Sequence, residues 1–313
     1  MSFLEEPVPP RGALLPVLPG ISRIVANNPS VMTYHGTNSW IIEQGDDLMI
    51  IDPGPNDATH LGDLLAAIDG RALKYILLTH THIDHSGNAK ALKQATGAPV
   101  VSYKQPSKAG FASDIRLNDG DSVAGLTALH TPGHASDHLC FQFRASNNQK
   151  ILFSGDHVMS WSSSIVNPPD GDMLAYYRSL ELLLSRDDDI YLCGHGPLLD
   201  APHRLVGELL SHRQFREKTI VTELQKQDWS IAALAAALYN KQDPFLKAAS
   251  QRNVLAHLLK LAAEGIVEEH QPETKPHPDI IAMMKTTDHN KADPIAQMIY
   301  HDSLRRFGLR KAA

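Results

Sequence analysis

The sequence predicts a layered α/β domain followed by a small helical domain. Three observations carry that reading. Short β-branched or aromatic runs alternate with helix-periodic segments as far as Pro202. Histidines and aspartates gather just past the ends of those short runs. Beyond Pro202 the pattern turns almost wholly helical.

From Ile21 to Asp52 the residues alternate in the manner of strands, and in WIIEQGDDLMIIDPG the turn residues Gly45, Asp46 and Asp47 separate two apolar runs. This predicts a hairpin that ends in a loop at Asp52. The stretch HLGDLLAAIDG repeats leucine and alanine at helical spacing before Gly70 stops it. YILL then reads as a buried strand running into THTHIDHSGN, followed by an ALKQATG helix and an APVVSY strand. The segments LTALHTPGH and ILFSGDH repeat the theme, each a short strand that stops where polar ligand types begin. Strands in such a domain hold loop residues rigidly, and the loops supply the chemistry.

Helices are expected over Arg204 to Lys226, Ser230 to Tyr239 and Leu246 to Glu264, with Ser230 as an N-cap and Gly265 as a stop. IVEEH after Gly265 suits the strand of a wing, which makes this a winged-helix type of domain. The polar, proline-punctuated run after His270 reads as a linker before a last helix from Ile295 to Phe307. The expected domains are therefore 1–202, 203–270 and a linker with a terminal helix over 271–313.

A chain of 313 residues with 42% hydrophobic content can build one large core and a second small one. The formal charge of −6 gives no dominating basic field. Residues 211–270 hold eight Lys or Arg against seven Asp or Glu, without the basic stripe of a duplex-DNA reader. Duplex DNA is not an expected partner, and this domain is expected to pack or to make a homodimer contact. Cys140 and Cys193 are the only cysteines and lie far apart, so no CxxC pair or thiolate zinc site is available. An acidic, proline-containing start and the lack of a long apolar run point to a cytoplasmic chain without a membrane partner.

THTHIDH places His80, His82, Asp84 and His85 directly after a strand. In extended chain His80 and His82 face the same side and can share one ion. The turn that follows lets Asp84 and His85 reach a second, with Gly87 leaving room for the bend. His134, Asp156 and His195 are the partners available elsewhere, each beside a glycine. Imidazole and carboxylate without thiolate suit Zn²⁺ first, and Mn²⁺ or Fe²⁺ also. Two such ions activate water near neutral pH as a bridging hydroxide and need no serine or cysteine nucleophile. His130, His138 and His157 fall off the motif's spacing and are read as structural, Cys193 as core, and His212 and Arg213 as helix surface.

HxHxDH with a distant His, Asp and His resembles the metallo-β-lactamase superfamily, in the branch of glyoxalase II and tRNase Z, over about residues 20 to 200. The resemblance implies an αββα sandwich. It also implies that His80, His82 and His134 bind one ion, that Asp84, His85 and His195 bind the other, and that Asp156 bridges them. Asp84 would orient the nucleophile, and Asp52 of IIDPG would steady the ligand loop from behind. GTNSW, NPPDGDM, GHGP and SHRQFRE resemble the lactamase-beta-two-like branch, which carries a winged-helix domain and implies single-stranded RNA as substrate. Asn38 of GTNSW would then stand at the site mouth and contact substrate.

Two other functions are compatible with parts of the sequence. The same metal set with a different pocket makes a hydrolase of small-molecule esters, thioesters or lactones. A non-enzymatic nucleic-acid-binding regulator is the rival from another class. The complete set of seven candidate ligands argues against that rival, since a retired site is free to lose them.

Overall fold

The computed structural model describes residues 1, 3–239, 244–272, 298 and 301–310, and of Pro244 and Phe245 the backbone only. Two compact units emerge, one of Met1–Ser164 with Ala175–Leu209 and one of Ile165–Leu174 with the described part of Leu210–Ala313.

In the first unit a seven-stranded sheet runs in chain order through β1 (Leu15–Leu18), β2 (Ile21–Val25), β3 (Asn38–Gln44), β4 (Asp47–Ile51), β5 (Ala72–Leu77), β6 (Val100–Tyr103) and β7 (Ile115–Leu117). The expected hairpin is β3 with β4, which pair antiparallel with Trp40 opposite Ile51. From β4 to β7 the strands are parallel. The connections between β4, β5 and β6 are helical: α1 (Ala58–Ile68), the single turn α2 (Ile83–Ser86) and α3 (Ala89–Thr96). Asp57 caps α1, its carboxylate accepting from the Thr59 amide at 2.7 Å.

The second sheet has the order β12-β11-β10-β9-β8, from β8 (Ser122–Val123), β9 (Leu126–His130), β10 (Leu139–Arg144), β11 (Lys150–Gly155) and β12 (Ile190–Cys193). Trp40, Ile42, Met49 and Ile51 from the first sheet meet Leu126, Phe141, Ile151 and Phe153 from the second in one buried cluster. The alternate residues Ile41, Leu48 and Ile50 pack with Leu64 and Leu92 of α1 and α3 on the other face. Both faces of β3 and β4 are thus buried, which explains why their text is a near-continuous apolar run. Helix α4 (Met173–Leu184) buries Tyr176, Leu180 and Leu183. Its Ser179 hydroxyl donates to the Pro132 carbonyl at 2.8 Å. The layering is the expected αββα mixture.

Helix α5 (Pro202–Leu224) leads into the second unit, where α6 (Ile231–Leu238) and α7 (Pro244–Ala263) pack Leu234, Val254 and Leu258 against Ile220 and Phe307. Ser230 caps α6 by accepting from the Ala233 amide, as expected. Two expectations need correction. The end of the predicted terminal helix is instead strand β15 (Arg306–Leu309), which fills the place between β13 (Trp229–Ser230) and β14 (Val267–His270); residues 301–304 are helical, and 295–297 lie outside the described residues. Phe307 is buried there, so tertiary pairing overrides a helical pattern. Arg213 is buried at 5% exposure and donates to Asn253 at 3.2 Å, so it is not on the helix surface. The segment Ile165–Leu174 joins the second unit because the Arg252 guanidinium holds Asn167 Oδ1 at 2.6 Å and also donates to the Pro168 carbonyl.

Candidate metal centre

All seven predicted residues converge. Ligand-type atoms of His80, His82 and His134 form one group and those of Asp84, His85, Asp156 and His195 another, with every atom within 4.8 Å of the rest of its group. Asp156 links them: one oxygen lies 3.4 Å from His85 Nε2, and the other lies 3.4 Å from His195 Nε2 and 3.7 Å from His134 Nε2. Asp84 Oδ2 is 3.4 Å from His195 and 3.5 Å from His85, and Asp84 is more accessible than the other three of its group.

Neighbours fix which ring nitrogen of His80, His85 and His195 faces inward. Asp52, buried and at φ 55°, accepts from the Thr79 amide at 2.8 Å and from the Thr79 hydroxyl at 2.7 Å. It also accepts from His85 Nδ1 at 2.8 Å. With its proton given to Asp52, the Thr79 oxygen can only accept from His80 Nδ1, 3.0 Å away. His195 Nδ1 donates to the Gly36 carbonyl at 3.2 Å. In all three rings Nε2 is therefore the nitrogen turned toward the centre, an orientation assigned from partners. His82 Nδ1 and His134 Nε2 face each other at 3.1 Å.

A second ring of contacts holds the carboxylates and loops. The Asp156 amide donates to His138 Nε2 at 3.2 Å, so His138 positions Asp156 rather than adding a ligand. Thr81, between His80 and His82, donates to Asp137 at 2.6 Å, a contact the motif alone did not reveal. A Cβ on Gly194 would lie 2.5 Å from Asp156 Oδ1 and 2.8 Å from the His85 ring, so only glycine leaves both in place. Gly87 is needed for a different reason from the one expected: a Cβ there would sit 2.2 Å from the Asn56 backbone nitrogen.

Asn38 requires correction. It is buried, donates to the carbonyls of Cys193 at 3.0 Å and Gly196 at 2.9 Å, and accepts from Arg23 at 3.3 Å. Its amide clamps the loop carrying His195: both Nδ2 hydrogens are spent on that loop's carbonyls, and the side chain is buried rather than open to substrate. His130 stacks on Tyr103 with ring centroids 4.0 Å apart. Cys193 fills the core, its thiol pushed up to about 11 by burial.

The electrostatics divide the centre. Burial opposes ionisation of Asp84, but the neighbouring His85 and His195 imidazoles outweigh it and hold the carboxyl at about 2. Burial likewise opposes Asp156, and His195 and His85 hold it well below the usual range. Burial lowers His85 and His195 too, yet Asp156 and Asp84 raise His85 well above its ordinary value and lift His195 to about 9. His80 goes the other way, because burial and the neighbouring imidazoles keep it neutral. Proton charge thus balances the carboxylates in one group, and a cation can replace those protons. The fit to divalent metal is direct: Nε2 of His80, His85 and His195 and Oδ1 of Asp156 are buried without a hydrogen-bond partner among the described residues.

A model described as the metallo-beta-lactamase superfamily matches residues 32–195. The chain belongs to the metallo-beta-lactamase superfamily. It is a hydrolase of that fold, and a model described as a beta-lactamase associated winged helix domain matches residues 230–274. The beta-lactamase-like protein 2 homolog of Drosophila melanogaster is 30% identical over 285 residues, covering 81% of this chain and 92% of that one. The atrochrysone carboxyl ACP thioesterase of Passalora fulva is 30% identical over 213 residues, 66% of this chain and 62% of that one. A beta-lactamase domain protein from Burkholderia ambifaria superposes with a TM-score of 0.74 at 18% identity, over 97% of this chain and 96% of that one, which shows the shared fold. Among the described residues of this superfamily member, no helix is long and apolar enough to cross a membrane.

Proposed function

We propose that the protein is a dinuclear metal-dependent hydrolase of small acyl substrates, with thioesters as the leading class. The observation that carries the two-ion part is the pair of ligand groups joined through Asp156. In this reading His80, His82 and His134 would hold one ion and Asp84, His85 and His195 the other, with Asp156 available to both. Zn²⁺ fits this nitrogen and oxygen set best, with Mn²⁺ or Fe²⁺ as alternatives. Bound ions of this kind lower the pKa of coordinated water and polarise the electrophile.

The chain's own residues set the rest. Asp84, the most accessible of its group and held at about 2, stays ionised at neutral pH. Such a weak base is suited to accept a hydrogen bond from the attacking water and to orient it, not to remove its proton outright. His138, Thr79 and Asp52 act from behind, fixing carboxylate and imidazole directions before substrate arrives. Support for the acyl class comes from the thioesterase among the relatives. The near-neutral second unit adds no basic stripe for RNA.

The test is elemental analysis of the purified protein together with a hydrolysis panel of thioesters, lactones, bis-p-nitrophenyl phosphate and single-stranded RNA. Two ions per chain with thioester turnover is the expected result. Two ions with phosphodiester cleavage alone would replace the acyl class by a nuclease, and absence of bound metal would overturn the dinuclear assignment. Asp84→Ala and His134→Ala should each abolish turnover with the circular dichroism spectrum preserved.

A further inference from the structure

Beside the ligand loop lies a cavity of about 660 Å³ with its own chemistry. Helix α3 lines it through Ala89, Lys90 and Lys93, and the loop before β7 lines it through Lys108, Phe111 and Ala112. Ala89 and Val100 are buried and Phe111 half-buried, so part of the lining is apolar. Three of the lining residues are lysines and none is Asp or Glu, a local reversal of sign in a chain of net charge −6. Lys93 is engaged by Asp114 at 2.5 Å. Lys90 and Lys108 are exposed, and neither ammonium enters an ion pair among the described residues.

The cavity is tied to the candidate metal centre through the backbone. Ile83, which lines it and is 56% exposed, stands between His82 and Asp84 in the chain. The Lys108 amide donates to Thr81 Oγ1 at 3.1 Å, and the Ser107 amide donates to Asp137 at 2.9 Å, the same carboxylate that receives the Thr81 hydroxyl. The lysine-bearing loop is therefore anchored on the stretch that presents His80 and His82.

An apolar concavity with two unengaged ammonium groups and no acid among its lining residues is complementary to an amphipathic anion. Ammonium groups on flexible stems bind phosphate as point charges. We infer that this cavity is a recognition subsite for the carrier arm of the thioester substrate, with a phosphate of the arm between Lys90 and Lys108 and its apolar part on Val100 and Phe111. The inference rests on the thioester reading, and it explains how a hydrolase of net negative charge admits an anionic substrate. Lys90, Lys108 and Ile83 then determine specificity without touching the reacting atoms.

The test separates carrier binding from hydrolysis. Coenzyme A and a phosphopantetheinylated carrier protein are titrated separately by calorimetry into the wild-type protein, into K90E/K108E, into A112W, which narrows the cavity without changing charge, and into K74E as a charge control outside the cavity lining. Saturable binding of either carrier, weakened about tenfold or more in K90E/K108E and in A112W but not in K74E, is the expected result. It identifies which carrier is used even if no thioester is turned over. In turnover, the kcat/KM of an acyl-coenzyme A relative to a short uncharged thioester should fall about tenfold in K90E/K108E, with the loss in KM. Failure of both carriers to bind, or equal binding by all four proteins, would overturn the subsite. Binding that shows the expected pattern while thioesters stay intact would overturn the proposed reaction and leave the subsite standing.

Discussion

Asp52 Oδ2 and His85 Nδ1 lie 2.8 Å apart with both side chains buried, and the same carboxylate also holds the Thr79 amide and hydroxyl. One residue at the end of β4 therefore aims His85 directly and His80 through Thr79. Asp52→Ala strands several buried donors at once, at a cost of about 1–3 kcal/mol for each left unsatisfied. Metal affinity should fall by about 10- to 100-fold, as when other partners behind a metal ligand are removed. Competitive titration against a chelator measures this, and an unchanged affinity would show that the aim of His85 and His80 is set elsewhere.

Gly194 gives a cleaner steric test. Its φ is not in the left-handed region, so Gly194→Ala adds no backbone strain and acts only through a Cβ placed 2.5 Å from Asp156 Oδ1 and 2.8 Å from the His85 ring. Asp156 must shift, and a misplacement of this order should lower turnover by roughly 10²-fold. The circular dichroism spectrum should hold while bound metal drops. Full metal content with full activity would mean that the site tolerates displacement of Asp156.

Asn38→Ala tests the corrected role. The substitution removes two donors to the Cys193 and Gly196 carbonyls and an acceptor for Arg23. The expected outcome is a loss of about 1–3 kcal/mol in denaturant stability, with little change in KM. A raised KM at unchanged stability would instead restore the substrate contact that GTNSW suggested.

That error and the successes have a common physical cause. His80, His82, Asp84 and His85 sit in one stretch after a strand, and His134, Asp156 and His195 each lie just beyond a strand end, so their convergence was legible in local text. The Asn38 clamp joins β3 to a loop more than 150 residues later, through backbone carbonyls that carry no residue signature. The strand Arg306–Leu309 was hidden for the same reason, since four residues cannot announce whether they will continue a helix or enter a gap between β13 and β14. Thr79 opens the THTHIDH motif and Asp137 lies three residues past His134, but only their hydrogen bonds reveal what they do.

In the second unit, His257 is fully buried with Glu217 at 3.5 Å, and Arg213 and Lys260 are the other charges acting on it. Burial is the largest influence, and the two cations add to it against Glu217, lowering the imidazole to about 4 from an ordinary 6.5. A depressed histidine favours the folded state in full above about 6.5, the unfolded value, and that contribution is lost as pH falls through about 4. Hydrogen exchange in peptides of α5 and α7, corrected for intrinsic rates, should therefore show protection declining between those two pH values. His257→Leu removes the titrating group and should flatten that decline, whatever it does to overall stability. A decline of equal steepness in the variant would transfer the effect to other groups, with Glu217, itself held below its usual range against burial by His257 and Lys260, the first to examine.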